Sequence, residues 1–226
     1  DVNGWELLWN EKYADKILMF DNSRDAFCIT QCLLGYDINT TDPQQLLECA
    51  KKLDEQRPLV QQYIMDQVFD LMENEEAWIT PYYAGDYLTM AEENENLQFY
   101  LPQEQGFNWF VDAMCVPANT QNYELALEYI NFMLSEEIAI ANAEYICYAS
   151  PHTEVYSNPE YSFYEDEILY PEDGKFKTQL FLNLSPETLA LMSTLWDDVK
   201  NHVPSPASSN RAFFFGGSTQ AVADDG

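Results

Sequence analysis

The chain has 226 residues, 46% hydrophobic and 15% aromatic, enough apolar material to bury a core and to exclude wholesale disorder. Ten Lys and Arg against 39 Asp and Glu leave a net charge of −29. A field of that sign repels phosphate backbones and anionic lipid headgroups, which argues against nucleic-acid and peripheral membrane partners, and it attracts cations.

Short apolar runs alternate with amphipathic helices, the pattern of an α/β protein. Residues 16–20, KILMF, predict a buried strand, and a helix follows from Ser23 until Gly35 stops it. Thr41-Asp42-Pro43-Gln44-Gln45 sets an N-cap, a first-turn proline and a capping-box Gln ahead of a helix that Pro58 ends. A shorter helix over 66–74 leads to a strand over 77–82, and Gly85 turns the chain into a helix through Glu93. Residues 97–101 and 109–116 read as further strands. Asn122 caps a helix with Leu125, Tyr129 and Met133 on one face, Ser135 opens the next, and Ser185-Pro186 opens a last one to about Lys200. Residues 204–210, PSPASSN, read as a flexible linker before a tail without an assigned role.

No stretch approaches the roughly 20 apolar residues that span a bilayer. The chain starts without Met or a signal-peptide pattern, so it reads as a mature form or a fragment. Cys28, Cys32, Cys49, Cys115 and Cys147 are odd in number, lack zinc-ribbon spacing and read as small core residues.

Three places set acids beside aromatics where strand-end loops would line a crevice. They are residues 21–25 (DNSRD), 82–86 (YYAGD) and 109–112 (WFVD). Rings and carboxylates together suit alkylammonium groups, although any one of these places taken alone reads better as helix capping and core filling. Asp112 is the sharpest of them: it interrupts an apolar run read as a buried strand, where a carboxylate requires a partner such as Arg24 or Arg57, or a ligand. Catalysis has little support. The only histidines are His152 and His202, and the chain carries no G-x-S-x-G elbow, Walker loop, dinucleotide glycine fingerprint or EF-hand loop. A glycosidase pairing such as Asp21 with Asp112 carries no weight amid so many acids.

Read together, GWELLW (4–9), KILMFDNSRDAF (16–27), LGYDINTTDPQQL (34–46), YYAGDYLTMAEEN (82–94), NWFVDAMCVP (108–117), AEYICYASP (143–151) and ILYPED (168–173) resemble the spermidine/putrescine-binding proteins of polyamine ABC importers. The resemblance implies a two-lobed periplasmic-binding-protein type II fold that closes over its ligand, an extracytoplasmic setting, a polyamine ligand, permease partners, no cofactor and no enzymatic turnover. Carried over by position, the acidic pair after the first strand falls on Asn22 and Asp25, and the first departs from a frequent family carboxylate. The W-x-G tryptophan falls on Tyr83, the W-x-D motif on Phe110 and Asp112, and the I-G-Y-P tyrosine on Tyr148. A late polar ligand falls near Leu182 or Asn183. The resemblance also implies that residues 1–110 and 161–200 form most of the second lobe and that 111–160 return to the first. The first half of lobe one is missing, either because the chain is a fragment or because another polypeptide supplies it; without that sheet the helix pair over 122–145 would expose an apolar face. The tail over 201–226 has no family counterpart. Alternatives on the same fold are another organic cation, a metal, or a fragment that binds nothing; an α/β hydrolase ranks below them.

Overall fold

The computed structural model describes residues 2–201. The KILMF run forms β1 (Ile17–Phe20), and all four of its residues are buried. Burial on both faces is what a continuous apolar run in a parallel sheet provides. β1 pairs in parallel with β2 (Val60–Ile64), setting Phe20 level with Ile64. On its other side Ile17 bridges in parallel to Ile79. The 77–82 segment expected as a strand contributes only that bridge, and Leu18 N–H donates to the Ile79 carbonyl at 2.8 Å.

Between β1 and β2 run α1 (Ser23–Leu34) and α2 (Pro43–Gln56). Asn22 caps α1 by accepting from the Arg24 and Asp25 amides, and Gly35 closes it in the left-handed region at φ 74°. Asp42 caps α2 as its sequence predicts, accepting from Gln44 N–H. Pro58 lies in a short 3-10 turn that leads straight into β2.

The last helix, α8 (Pro186–Lys200), completes this layer. Its buried Met192, Leu195, Trp196 and Val199 repeat at helical spacing and pack with Phe27, Leu46 and Leu53 over Ile17 and Met19. Leu18 points to the opposite face, into a second cluster with Ile64, Val68, Met72 and Met90. That face is covered by α3 (Val68–Glu73) and α4 (Ala84–Glu93).

Further on, β3 (Phe107–Trp109) pairs in parallel with β4 (Thr178–Leu180). Hydrogen bonds from Trp5 Nε1 to the Gly106 carbonyl and from Ile38 N–H to Gln179 join this pair to the main body. The strand expected over 109–116 is therefore corrected: pairing ends at Trp109, and residues 110–116 continue without regular structure. Residues 97–101 form no strand either.

Beyond lie α5 (Tyr123–Met133), α6 (Glu136–Ile146) and α7 (Thr153–Tyr156). Ala139 and Ala143 of α6 pack with Val155 and Tyr161, whereas α5 buries none of its residues. The linker and tail expectations for 204–226 lie outside the described residues.

Candidate ligand-binding site

Three parallel segments end side by side: β1 before Asn22, β2 before Met65, and the Ile79 bridge before Tyr82. The main chain holds them level, since Asp21 N–H donates to the Ile64 carbonyl at 2.8 Å. In such sheets the C-terminal edge is where loops enclose a ligand. Here that edge is lined with rings. Phe20 stacks on Tyr82 at 5.5 Å between centroids and 23° between planes, and it lies 5.3 Å from Tyr83. Tyr83 meets Phe110 edge-on at 5.6 Å and 72°.

Asp25, on the first turn of α1, is 8% exposed and accepts a hydrogen bond from the Tyr83 hydroxyl at 3.0 Å. Burial raises its pKa above the usual carboxylate value, while the Tyr83 hydrogen bond and Arg24 oppose the shift. Asn22 precedes it, but its side-chain oxygen is already committed to capping α1, at 2.8 Å from Arg24 N–H. Arg24 turns away from the pocket to the Ile38 carbonyl, Asn39 and the Leu182 carbonyl. It thereby ties residue 182 to the start of α1.

Tyr83 itself sits at the N-cap position of α4 in an extended conformation, so its ring leaves the helix toward the pocket. Two residues later Gly85 is needed for close approach: a Cβ there would collide with the Tyr148 ring and lie 2.8 Å from the Cys147 carbonyl. The Tyr148 hydroxyl donates to Asp86, whose carboxyl is also raised, chiefly by burial. Burial, first of all, pushes the Tyr82 hydroxyl up to about 12 and those of Tyr83 and Tyr148 higher still, so all three phenols remain protonated near neutrality.

The fold thus gathers Asn22, Asp25, Tyr83, Phe110 and Tyr148. Asp112 requires correction. It lies in the extended stretch after β3 and is exposed, so it is no buried charge in need of a neutralising partner. It still acts on Tyr148, contributing to the rise of that phenol. The two arginines considered as its partners are engaged elsewhere, Arg57 with Asp54 at 3.2 Å. Asp86 joins the site from the YYAGD motif already marked as acidic and aromatic. Asp66, just after β2, is exposed and contributes to the rise of the Tyr82 phenol.

His152 faces the Leu134 carbonyl at 2.8 Å, away from any nucleophile arrangement, and His202 lies outside the described residues. Among the described residues no three His, Cys, Asp or Glu side chains converge to hold a metal ion, and no helix is long and apolar enough to cross a membrane. All five cysteines are free thiols. Cys28, Cys32, Cys49 and Cys147 are buried as expected of core residues, while Cys115 is exposed.

A parallel sheet with rings and carboxylates gathered at its C-terminal edge places the chain among α/β proteins whose strand-end loops line a crevice. The family model described as bacterial extracellular solute-binding protein matches residues 3–163, and the chain belongs to that family. The chain is similar to the spermidine/putrescine-binding periplasmic protein of Salmonella typhimurium, with 30% identity over 173 residues, 76% of this chain and 49% of that one. It is also similar to the Escherichia coli protein of that description, with 29% identity over 78% of this chain and 50% of that one. Among solved structures, the spermidine/putrescine ABC transporter substrate-binding protein of Streptococcus pneumoniae superposes with a TM-score of 0.74 at 30% identity, covering 89% of this chain and 62% of that one. The fold is accordingly that of the periplasmic-binding-protein type II class. The chain spans about half the length of the curated relatives it matches.

Proposed function

We propose that this chain is the ligand-holding part of an extracytoplasmic receptor that binds a polyamine and hands it to ABC permease subunits. The observation that carries this reading is the buried Asp25 carboxylate, held by the Tyr83 hydroxyl beside the rings of Phe20, Tyr82 and Phe110. A carboxylate about 4 Å from an ammonium gains roughly 4 kcal/mol at an effective dielectric of 20, before desolvation. Each ring face adds roughly 0.5–2 kcal/mol to a cation above it, and each buried methylene about 0.8 kcal/mol. In this reading Asn22, Asp25, Tyr83, Phe110, Asp112 and Tyr148 contact the ligand, and the protein binds without turnover.

Residues 1–110 and 161–200 form the larger lobe in this reading, and 111–160 return to a second one. Support comes from α8 packing on α1 and α2, and from the exposure of residues 110–115 and of α5. In this reading the exposed stretch faces the first-lobe half that the longer relatives carry. The test is calorimetric titration with putrescine and spermidine, using the 226-residue chain alone and then fused to a first-lobe half from a full-length relative. Heat of binding in either form is the expected result. A thermal shift with a sugar or an amino acid, and none with either amine, would sink the reading.

A further inference from the structure

Residues 180–182, where β4 gives way to the segment leading to α8, are held by side chains from α1 and the loop after it. Asn39 takes hold of the main chain on both sides of Phe181. Its Nδ2 donates to the Leu180 carbonyl at 2.9 Å, and its Oδ1 accepts from Leu182 N–H at 2.8 Å. One side chain thus offers the donor and acceptor that a neighbouring strand would. Arg24 orients that amide by donating to the same Oδ1 at 2.7 Å, and it donates to the Ile38 and Leu182 carbonyls. Its guanidinium lies 4.4 Å from the centre of the Phe181 ring, which packs against Cys28, Cys32 and Ile38. Phe181 N–H in turn donates to the Trp109 carbonyl at 3.3 Å. Trp109 ends β3, and the next residue is Phe110, whose ring meets Tyr83.

We infer that Asn39 is a positioning residue: with Arg24 it latches the end of β4, and through Trp109 it fixes where Phe110 stands beside Tyr83. This rests on the polyamine reading above, in which Phe110 contacts the ligand. Phe110 belongs to a stretch without regular structure and is 39% exposed, so its placement depends on the strand end just before it. That strand end is short, three residues paired with three, and the latch extends its support by one residue on the β4 side. Each hydrogen bond of Asn39 is weak by itself, but all three converge on one planar amide and act together.

The experiment is a double-mutant cycle joined to amide exchange. Spermidine is titrated into the parent, Asn39→Ala, Phe110→Ala and the double variant, in the form of the chain that binds it. Asn39→Ala is expected to weaken spermidine about five-fold, within the roughly ten-fold that one ring face over a cation contributes. In the Phe110→Ala background the same substitution should cost less than about two-fold, because the ring it positions is gone. Without ligand, the Phe181 amide of Asn39→Ala should exchange at least about ten-fold faster than in the parent, while the α2 amides keep the parent rate. An equal loss with and without Phe110, or a Phe181 amide at the parent rate, overturns the latch and leaves polyamine binding intact. Faster exchange in α2 as well means general loosening and overturns it too. A parent that binds neither spermidine nor putrescine overturns the polyamine reading, and the exchange rates, which need no ligand, then decide the latch.

Discussion

Asp25 and Tyr83 are 58 residues apart in sequence and meet at 3.0 Å, so the central pair of the site exists only because β1 and the Ile79 bridge lie side by side. Tyr83 has two separable roles, as a ring and as a donor. Tyr83→Phe should keep the cation–π face and leave Asp25 without its hydroxyl partner, weakening spermidine several-fold. Tyr83→Ala should remove both and weaken it by roughly 1–3 kcal/mol in a calorimetric titration beside the parent. The acid pair also gives a pH signature. Burial raises Asp25 and Asp86 above the ordinary value of 3.8, so the folded chain holds their protons more firmly than the unfolded chain does. Their ionisation therefore opposes folding: the effect is absent below the unfolded carboxylate value and grows as pH rises through the raised folded one. Thermal melts of Asp25→Asn against the parent should show a stability gain that widens with pH across that window and vanishes in stronger acid. A gain independent of pH would refute this assignment. Binding of a cationic amine should weaken over the same window on acidification.

At the scale of elements, local chemistry and tertiary contact divide the work. Asp42 and Ser185 cap α2 and α8 where the sequence places caps, because an N-cap is satisfied within a few residues. Strands are less legible. β2 reads VQQYI, with Gln61 and Gln62 exposed, so its polar residues conceal a strand that only the pairing with β1 specifies. The apolar run after Trp109 misleads in the opposite direction, since apolar composition without a neighbouring strand leaves the backbone unpaired. Gly85 tests how tightly α4 is set against the segment after α6. Gly85→Ala drives a methyl into Tyr148 and the Cys147 carbonyl, and should destabilise the fold by about 1–3 kcal/mol in urea unfolding. An unchanged midpoint would mean that Tyr148 yields freely and is not fixed by this contact.

On the scale of the molecule, the two ends of the chain's central stretch behave differently. The layer of α1, α2 and α8 seals one side of the β1 sheet, whereas α5 presents Leu125 at 64%, Tyr129 at 58% and Phe132 at 55% exposure. Val111 and Met114 add to that apolar surface. Surfaces of this kind in soluble proteins mark contacts with other protein. The 226-residue chain by itself should therefore self-associate, despite a charge of −29 that opposes association at low salt. Sedimentation velocity should show larger species growing with added salt, and a Leu125→Glu, Tyr129→Glu double variant should remain monomeric. Salt-independent monomer in the parent would contradict this expectation.

The sequence by itself determined the α/β class and the helix boundaries set by Gly35, Asp42 and Ser185, and it brought Asp25, Tyr83, Phe110 and Tyr148 forward as candidates. These are legible because capping, apolar runs and motif spacing act over a few residues. Tertiary structure alone decided that Asp25 and Tyr83 are partners, that Asp86 lies beside Tyr148, and that Asp112 is exposed. Burial and pairing of a carboxylate depend on which strands lie beside it, and parallel pairing joins segments dozens of residues apart, beyond the reach of any local pattern. For Asp112 the apolar run implies a buried neighbourhood; the fold puts it instead on an unpaired stretch facing water.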